Sequence, residues 1–348
     1  MKKIALSLSI ALLVAIMVGC GGGGGSVSIG IAKPELNFTD PYWANAANKL
    51  MDKAADHGHS ISMDNLKYGI EEIKDLLNAR INTLIVSNID DGIGEVISDL
   101  QKRKVIVIGY EQVSSQAEYD YFVAFNYFSA GMKQAEGILN GIEIGIGGPK
   151  TIAFFTDQSA RSSLIFKGAM FLLTPYIDQG SIRVIGGSQN VIESADSRAA
   201  MRALLSDAAR NVTLDAVYVT TDEMARGVID ACKSEARYNN KLPVVVGIGA
   251  DFASAMSIRN NEQYGTILLN PGRLAEVAIT IAEQAARKQE ISIDNMSPST
   301  LNPSESGYAG RGTPPIFLVE PSLIRNDNLN DLVEAEIYAQ HDSVNLVN

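Results

Sequence analysis

The sequence predicts an α/β protein built from two doubly wound parallel-sheet lobes, which are joined by a hinge with several chain crossings. Three observations support this fold class. From Val27 onward, short apolar runs of β type alternate with longer segments of helical periodicity, as in stacked βαβ units. The apolar runs are nearly continuous, which is typical of strands covered by helices on both faces. The whole pattern then repeats after Phe125, which indicates a second lobe of the same architecture.

The first lobe is predicted over residues 27–125, where β and helical segments alternate. Its expected strands are 27–32, 60–63, 83–87, 105–109 and 122–125. Its expected helices are 40–57, 70–79 and a third that ends at Lys102.

The second lobe is predicted to begin with a helix at 126–140. Its expected strands are 151–155, 182–185, 215–219, 244–248 and 266–269. Its expected helices are one that ends at Leu173 before Pro175, then 193–210 and 222–237. A helix at 273–287 is expected to return to the first lobe, a loop at 292–313 to follow it, and a last strand to lie at 315–319. The predicted lobes are therefore 27–125 with about 270–312, and 126–269 with about 313–348.

The N-terminus resembles a bacterial lipoprotein signal. Two lysines precede an apolar run, Ile4–Val18, and Gly19 stands directly before Cys20. This pattern predicts a signal peptide at 1–19, lipid on Cys20 and a glycine tether within 20–26, and hence an extracytoplasmic protein held at a bacterial membrane. The alternative is an uncleaved membrane anchor, although the apolar run is shorter than the roughly 20 residues that a span needs.

Composition narrows the classes of partner. Hydrophobic residues make up 46% of the chain and charged residues 20%, which is typical of a globular protein. The formal net charge of −11 argues against nucleic-acid partners, which require clustered Lys and Arg. With Cys20 lipidated, Cys232 has no partner within the chain for a disulfide, and its helical neighbours predict that it lies in the core.

Three sequence patterns resemble enzymatic motifs, but the residues around each of them argue against that interpretation. His57 and His59 lack a nearby set of carboxylates or cysteines for metal binding. The glycine run Gly141–Gly148 precedes a strand, whereas a dinucleotide loop must follow one. With three histidines and no Gly-x-Ser-x-Gly elbow, a catalytic triad is not indicated. We therefore predict a protein without enzymatic activity, cofactor or metal.

Several short segments, taken in their order along the chain, resemble one family. They are Asn37–Trp43 after the first strand, Lys167–Asp178, Thr221–Gly227 and Leu242–Val245. In these segments the chain resembles the type I periplasmic-binding family, specifically the simple-sugar substrate-binding proteins of ABC transporters, from about Val27 to Val319. The resemblance implies two lobes that close on a sugar, and a membrane permease as partner.

The candidate ligand-binding residues follow the predicted strands, because ligands of open α/β sheets bind at the carboxyl ends of the strands. Aromatic side chains in the first post-strand loop would stack on a ring-shaped ligand, and polar side chains would bond its hydroxyl groups. For Asp90 the role of a helix cap is equally open. The candidates are Phe38, Asp40, Tyr42, Trp43, Asn88, Asp90, Glu111, Gln112, Asn126, Arg161, Thr221, Asp251 and Asn270.

The chain departs from the family pattern after the fourth strand. Tyr110-Glu111-Gln112 stands where these binders have Asp-Arg, so a charged fork that grips sugar hydroxyls is missing at Gln112. The resemblance therefore implies a pocket that is more aromatic and less ionic than a typical hexose site. A monosaccharide is the expected ligand class, with a nucleoside or a furanose-like signal molecule as alternatives.

The expected function is capture of a small polar ring compound and its delivery to an ABC permease. A sensory partner of a membrane histidine kinase or chemoreceptor is the alternative, because both roles use the same closed surface. A sugar-responsive repressor with this core is disfavoured, since a signal peptide stands where a DNA-binding segment would be.

Overall fold

The computed structural model describes residues 27–33, 41–59, 61, 66–68, 73–78, 80–87, 92–157, 159–185, 192–193, 196–206, 213–301, 303–338 and 346. Within helix 41–56 the backbone is described throughout and the side chains from Asn48 onward. None of the described helices is long and apolar enough to cross a membrane.

The strands and helices alternate as the sequence predicts. The strands are β1 (Ile29–Lys33), β2 (Leu66–Tyr68), β3 (Thr83–Val86), β4 (Ile106–Tyr110), β5 (Tyr121–Phe125), β6 (Lys150–Thr156), β7 (Ile182–Val184), β8 (Ile192–Glu193), β9 (Ala216–Tyr218), β10 (Val244–Ile248), β11 (Gly265–Leu268), β12 (Ile316–Val319) and β13 (Ser322–Ile324). The helices are α1 (Pro41–Asp56), α2 (Ile93–Lys102), α3 (Tyr127–Gly141), α4 (Ala160–Asp178), α5 (Ser197–Ser206), α6 (Asp222–Lys233), α7 (Phe252–Arg259), α8 (Pro271–Ala286), α9 (Pro303–Ser306) and α10 (Asn330–Glu334).

Two parallel sheets form the cores of the two lobes. The first sheet has the order β12-β5-β4-β3-β1-β2, and the second has the order β13-β11-β10-β9-β6-β7 with β8 beside β6. All strand pairs are parallel except that of β11 with β13. Strand β10 is buried along its whole length, as expected for a strand with helices on both faces. The predicted fold class is confirmed.

The chain passes between the lobes three times. Strand β5 lies in the first sheet and β6 in the second, so the first crossing runs through Asn126 and α3. The second crossing follows β11, because α8 packs on β3, β4 and β5 of the first lobe. The third crossing, at Glu320 and Pro321, joins β12 of the first sheet to β13 of the second.

The predicted lobe boundary at 312–313 is wrong. Strand β12 was expected in the C-terminal lobe, yet it pairs in parallel with β5, with Ile316 opposite Phe122. The sequence carries no signal for this, since an isolated apolar run after a long loop fits the edge of either sheet equally well. The last crossing therefore follows Val319.

Several predicted helix bounds also differ. The helix predicted at 222–237 ends at Lys233, and the described part of the one predicted at 70–79 contains a 3-10 helix at Asp75–Leu77. Helix α4 continues through Pro175 to Asp178, because the carbonyl that the proline leaves without a donor belongs to Phe171, which lies on the exposed side of the helix. Glu193, expected at the start of a helix, instead ends β8, which pairs with β6. Of the strand predicted at 60–63 only Ile61 is described, and the observed second strand is Leu66–Tyr68.

Helices α3 and α4 approach each other so closely that two glycines are required. A Cβ atom added at Gly131 would lie 1.8 Å from the carbonyl oxygen of Ile165, and one at Gly168 would lie 1.9 Å from that of Phe128. Both contacts are with backbone atoms, which no change of side-chain rotamer can move away. This packing fixes the first crossing, since α3 begins directly after it.

The His57–His59 pair lies between α1 and α8 of the first lobe. Both ring nitrogens of His57 are hydrogen-bonded to carboxylates of α8, at 2.8 Å to Glu276 and 2.9 Å to Glu283. Burial lowers the pKa of His57, but the two carboxylates outweigh it and leave the pKa above its ordinary value. The pair thus joins two helices, and among the described residues no group of His, Cys, Asp or Glu is arranged to hold a metal ion.

Candidate functional site

A cleft of about 740 Å³ lies between the lobes, within the usual size range of small-molecule sites. The first lobe contributes Glu111, Gln112 and Val113 after β4, with Gly307 and Ala309 from the loop before β12, and the second lobe contributes Asp157, Arg161, Thr221 and Gly249. Other concavities formed by the described residues, of 620 to 750 Å³, each lie within a single lobe. The interlobe cleft is therefore the candidate site, because lobe closure would act on whatever it holds.

Glu111 is a buried carboxylate on the first-lobe side of the cleft. Its backbone is left-handed, with φ of 65°, and its side chain is only 3% exposed. The carboxylate accepts a hydrogen bond from the backbone N–H of Phe125 at 3.1 Å and one from the Tyr127 hydroxyl at 2.5 Å. Glu111 therefore stabilises the first crossing through these two bonds. Burial raises the pKa of the Tyr127 hydroxyl, and the Glu111 carboxylate raises it further.

Arg161 and Tyr127 are in contact in the cleft lining. The Arg161 guanidinium carbon lies 5.3 Å from the centre of the Tyr127 ring, within the range of a cation–π contact. Arg161 belongs to the first turn of α4 in the second lobe, whereas Tyr127 is bonded to Glu111 of the first lobe. The contacts of Glu111 with Tyr127 and of Tyr127 with Arg161 thus link the two lobes.

Asp157 provides a fixed carboxylate on the second-lobe side. It accepts hydrogen bonds from the Ser159 N–H at 2.8 Å, the Ser162 hydroxyl at 2.8 Å and the Thr220 hydroxyl at 3.2 Å. Burial raises the pKa of Asp157, but these donors outweigh it and hold the pKa below its ordinary value. The cleft therefore keeps a negative charge at this position at neutral pH.

Three predicted site residues act as helix caps beside the cleft. Asn126, Asp251 and Asn270 each accept the N–H of the third residue of the helix that follows, from Ser129, Ser254 and Arg273 respectively. These three lie outside the cleft lining. Thr221 also caps its helix, by accepting from Met224 N–H, and it does line the cleft.

Hydrogen bonds join the first crossing between the lobes to the third. The Asn126 side-chain amide donates to Glu320 at 2.7 Å, and the Ser129 hydroxyl donates to the same carboxylate at 2.6 Å. Asn126 belongs to the first crossing and Glu320 to the third. This pairing ties the crossings together at the point about which the lobes would rotate.

The predicted residues thus divide into three groups. Glu111, Gln112, Arg161 and Thr221 line the cleft. Asn126, Asp251 and Asn270 cap helices at its margin. The remaining candidates are the lipidation site Cys20 and the first-lobe residues Phe38, Asp40, Tyr42, Trp43, Asn88 and Asp90. They lie outside the described residues, except that the backbone of Tyr42 and Trp43 is described and their side chains are not.

Sequence reasoning missed several residues of the cleft. Asp157 directly follows β6, so the rule that polar residues after strands bind ligands could have selected it. Gly307 and Ala309 flank Tyr308, whose ring packs 5.1 Å from that of Phe122 and anchors the loop that was expected to be irregular. Ile337 reaches the cleft from the C-terminal segment, for which the sequence gives no pattern.

Two doubly wound lobes, three crossings and a cleft lined from both sides define a two-lobed ligand-binding protein. The family model for the periplasmic binding protein domain matches residues 36–290. The chain therefore belongs to the periplasmic binding protein family, as the resemblance of its motifs implies, and this prediction is confirmed.

Relatives and solved structures agree with this assignment. The chain is 28% identical to the multiple sugar-binding periplasmic receptor ChvE of Rhizobium radiobacter, over 72% of this chain and 75% of that protein. It is 27% identical to the D-xylose-binding periplasmic protein of Haemophilus influenzae, over 79% and 78%. Its fold is similar to that of an ABC transporter solute-binding protein from Clostridium phytofermentans with bound β-D-glucose, with a TM-score of 0.71, 22% identity and coverage of 90% and 99%.

Proposed function

We propose that this protein captures a monosaccharide outside the cytoplasm by closing its two lobes, and delivers the sugar to an ABC permease. The observation that carries the proposal is the cleft lined by both lobes, in a chain whose relatives are named for sugar binding. A ligand that contacts both lobes favours the closed form by its differential affinity for that form. The permease would recognise the closed pair of lobes.

The described half of the site suits a neutral polyhydroxyl ligand. The Asp157 carboxylate and the Arg161 guanidinium both line the cleft from the second lobe, together with the apolar side chains of Ile248 and Leu269. Opposite charges within one cleft match hydroxyl groups better than a ligand with net charge. We further propose that Trp43, Tyr42 and Phe38 supply the ring faces, with Asp40, Asn88 and Asp90 as hydrogen-bonding partners.

Binding is tested directly by the intrinsic fluorescence of Trp43, the single tryptophan of the chain. We expect saturable changes in its emission with D-xylose or D-glucose. Asp90→Ala should weaken binding in calorimetry by about five-fold to a hundred-fold, because a sugar hydroxyl loses its partner in a dehydrated site. Trp43→Phe, which keeps a ring, should bind more tightly than Trp43→Ala. Unchanged emission at saturating sugar, with wild-type affinity in Asp90→Ala, would place the ligand elsewhere.

We also propose that lipid on Cys20 holds the protein at a bacterial membrane outside the cytoplasm, in the periplasm or at the cell surface. The support is the resemblance of residues 1–20 to a lipoprotein signal. Cys20→Ser is expected to abolish labelling by radioactive palmitate and to leave the precursor unprocessed, with Cys232→Ser as the control that labels normally. Labelling of Cys20→Ser at the wild-type level would contradict the proposal.

A further inference from the structure

Asp222 is a buried carboxylate directly behind the second-lobe wall of the cleft, and it has no contact with the ligand volume. It follows Thr221, which lines the cleft, and its side chain is 3% exposed. Its packing leaves no free space, because a Cβ atom added at Gly247 would lie 2.0 Å from Asp222 Oδ1. The side chain is thus enclosed by β10 and by the loop that follows it.

The loop after β10 has an unusual backbone where it borders the cleft. Gly249 and Ala250 are consecutive left-handed residues, with φ of 129° and 52°. Ala250 adopts a conformation that non-glycine residues avoid, and such conformations persist when the surroundings fix them. Gly249 itself lines the cleft, so this conformation shapes the second-lobe wall.

The hydrogen bonds that fix this loop end on Asp222. The N–H of Asp251 donates to Asp222 Oδ2 at 3.0 Å. The N–H of Ala250 donates to the Thr266 hydroxyl at 3.2 Å, and that hydroxyl donates to Asp222 Oδ1 at 2.8 Å. Two consecutive amides of the loop are therefore held by one carboxylate, one directly and one through Thr266.

We propose that Asp222 is a positioning residue of the ligand site, whose carboxylate holds the loop Gly249–Asp251 in the conformation that forms the second-lobe wall. The proposal builds on the proposed function, since it treats this cleft as the sugar site. It adds a residue that acts through the loop, and it predicts that ligand affinity depends on the protonation of that residue.

The groups that face Asp222 make its charge sensitive to pH. Burial raises the pKa of Asp222 to about 6, and the neighbouring Asp251 carboxylate acts in the same direction. Asp251 is paired with Arg226 of α6. From the C-terminal segment, Tyr338 donates its hydroxyl to the Ala250 carbonyl at 2.6 Å.

The raised pKa of Asp222 also determines how the stability of the protein changes with pH. A carboxyl group whose pKa is higher in the folded than in the unfolded protein favours folding below about pH 4, and this contribution is lost as the pH rises through about 6. At neutral pH the ionised side chain therefore lowers stability. A buried Asp222 charge that disfavours folding agrees with a role of this residue in the ligand site rather than in stabilising the core.

Protonation of Asp222 is expected to weaken its hydrogen bonds to the loop Gly249–Asp251. The Asp251 N–H at Oδ2 cannot reverse. Oδ1 accepts from the Gln263 side-chain amide and from the Thr266 hydroxyl, and the hydroxyl can rotate to accept a proton, so we expect protonation at Oδ1. The bond from Asp251 N–H then ends on a neutral group and becomes weaker, because bonds to ionised acceptors are stronger. We expect the wild-type affinity for sugar to fall about three-fold to ten-fold between pH 7.5 and 5.0. Asp157, whose pKa lies below its ordinary value, stays ionised over this range.

The test compares Asp222→Asn, Thr266→Val and Thr266→Ser with the wild type. Asp222→Asn should lose the pH dependence and bind sugar at pH 7.5 about as weakly as the wild type does at pH 5.0, because its neutral amide weakens the bond from the Asp251 N–H as protonation does. Thr266→Val removes the bridging hydroxyl with little change in shape and should also weaken binding. Thr266→Ser keeps the hydroxyl and should bind as the wild type does. Calorimetry with D-xylose or D-glucose at each pH measures these affinities.

A second measurement does not depend on the ligand. Hydrogen exchange of the amides of Ala250 and Asp251 in the free protein should be faster in Asp222→Asn and Thr266→Val than in the wild type, with Thr266→Ser unchanged. If the wild type binds no sugar but the exchange pattern holds, the proposed function fails and the positioning role stands. Wild-type exchange in Asp222→Asn, or an affinity with the wild-type pH profile in that variant, would overturn the proposal. Should Asp222→Asn fail to fold, the Thr266 pair decides by the same criteria.

Discussion

Gly131→Ala is expected to destabilise the protein by about 3 kcal/mol or more, although alanine is normally the better helix former by about 1 kcal/mol. The added methyl group would lie 1.8 Å from the carbonyl oxygen of Ile165 and 2.7 Å from the backbone nitrogen of Ala169. Helices α3 and α4 would have to separate, and the core between them would lose contacts. The thermal midpoint should fall by roughly 6–12 °C, if each kcal/mol is worth about 2–4 °C.

The same argument applies to Gly168 from the opposite helix. Its Cβ would meet the Phe128 carbonyl at 1.9 Å, so Gly168→Ala should produce a loss of similar size. Ser163→Ala, on the exposed side of α4, is the control and should change stability by less than about 0.5 kcal/mol. A gain of stability in Gly131→Ala, as helix propensity alone predicts, would contradict the close helix contact.

The fold could be predicted because the strands are buried on both faces. Continuous apolar runs such as Val244–Ile248 identify parallel strands, and the repeat after Phe125 identifies the second lobe. The position of β12 could not be predicted in the same way, because its pairing with β5 is a contact between distant parts of the chain. Local patterns carry no information about which sheet edge receives a late strand.

The site was predicted by one rule, that ligands lie beyond the carboxyl ends of strands. The rule selects Glu111, Arg161 and Thr221, which line the cleft. It cannot separate a ligand contact from a helix cap, since Asn126 and Asp251 occupy the same kind of position and bond their own helices. Glu111 shows a further limit, because a left-handed backbone turns its carboxylate inward to the crossing.

Buried groups such as Asp222 are beyond the reach of that rule. The side chain stands next to a predicted site residue, yet its importance depends on bonds to residues 29 and 44 positions away in sequence. Such groups are found only when the donors that surround them are known. The sequence identifies the family, and the structure identifies which side chains hold the walls of the cleft.

Glu111→Ala is expected to have the second large effect, on stability and on binding together. It leaves two buried donors, the Phe125 N–H and the Tyr127 hydroxyl, without this acceptor, and each such loss costs about 1–3 kcal/mol. It also frees the Tyr127 ring, which lies against Arg161 in the cleft lining. We expect a fall of about 2–6 kcal/mol in the free energy of unfolding, and at least ten-fold weaker sugar binding.

Glu111→Gln tests whether the two hydrogen bonds of Glu111 or its charge is responsible for the effect. The amide oxygen can accept from Phe125 N–H, which is fixed, while the amide NH2 donates to the Tyr127 oxygen, whose hydroxyl is free to rotate. Both bonds then persist in neutral form, so Gln should cost less than half as much as Ala. Tyr127→Phe removes only one donor and should cost the least in urea unfolding. Equal losses in the Ala and Gln variants would show that the charge of Glu111, rather than its two accepted bonds, holds the first crossing in place.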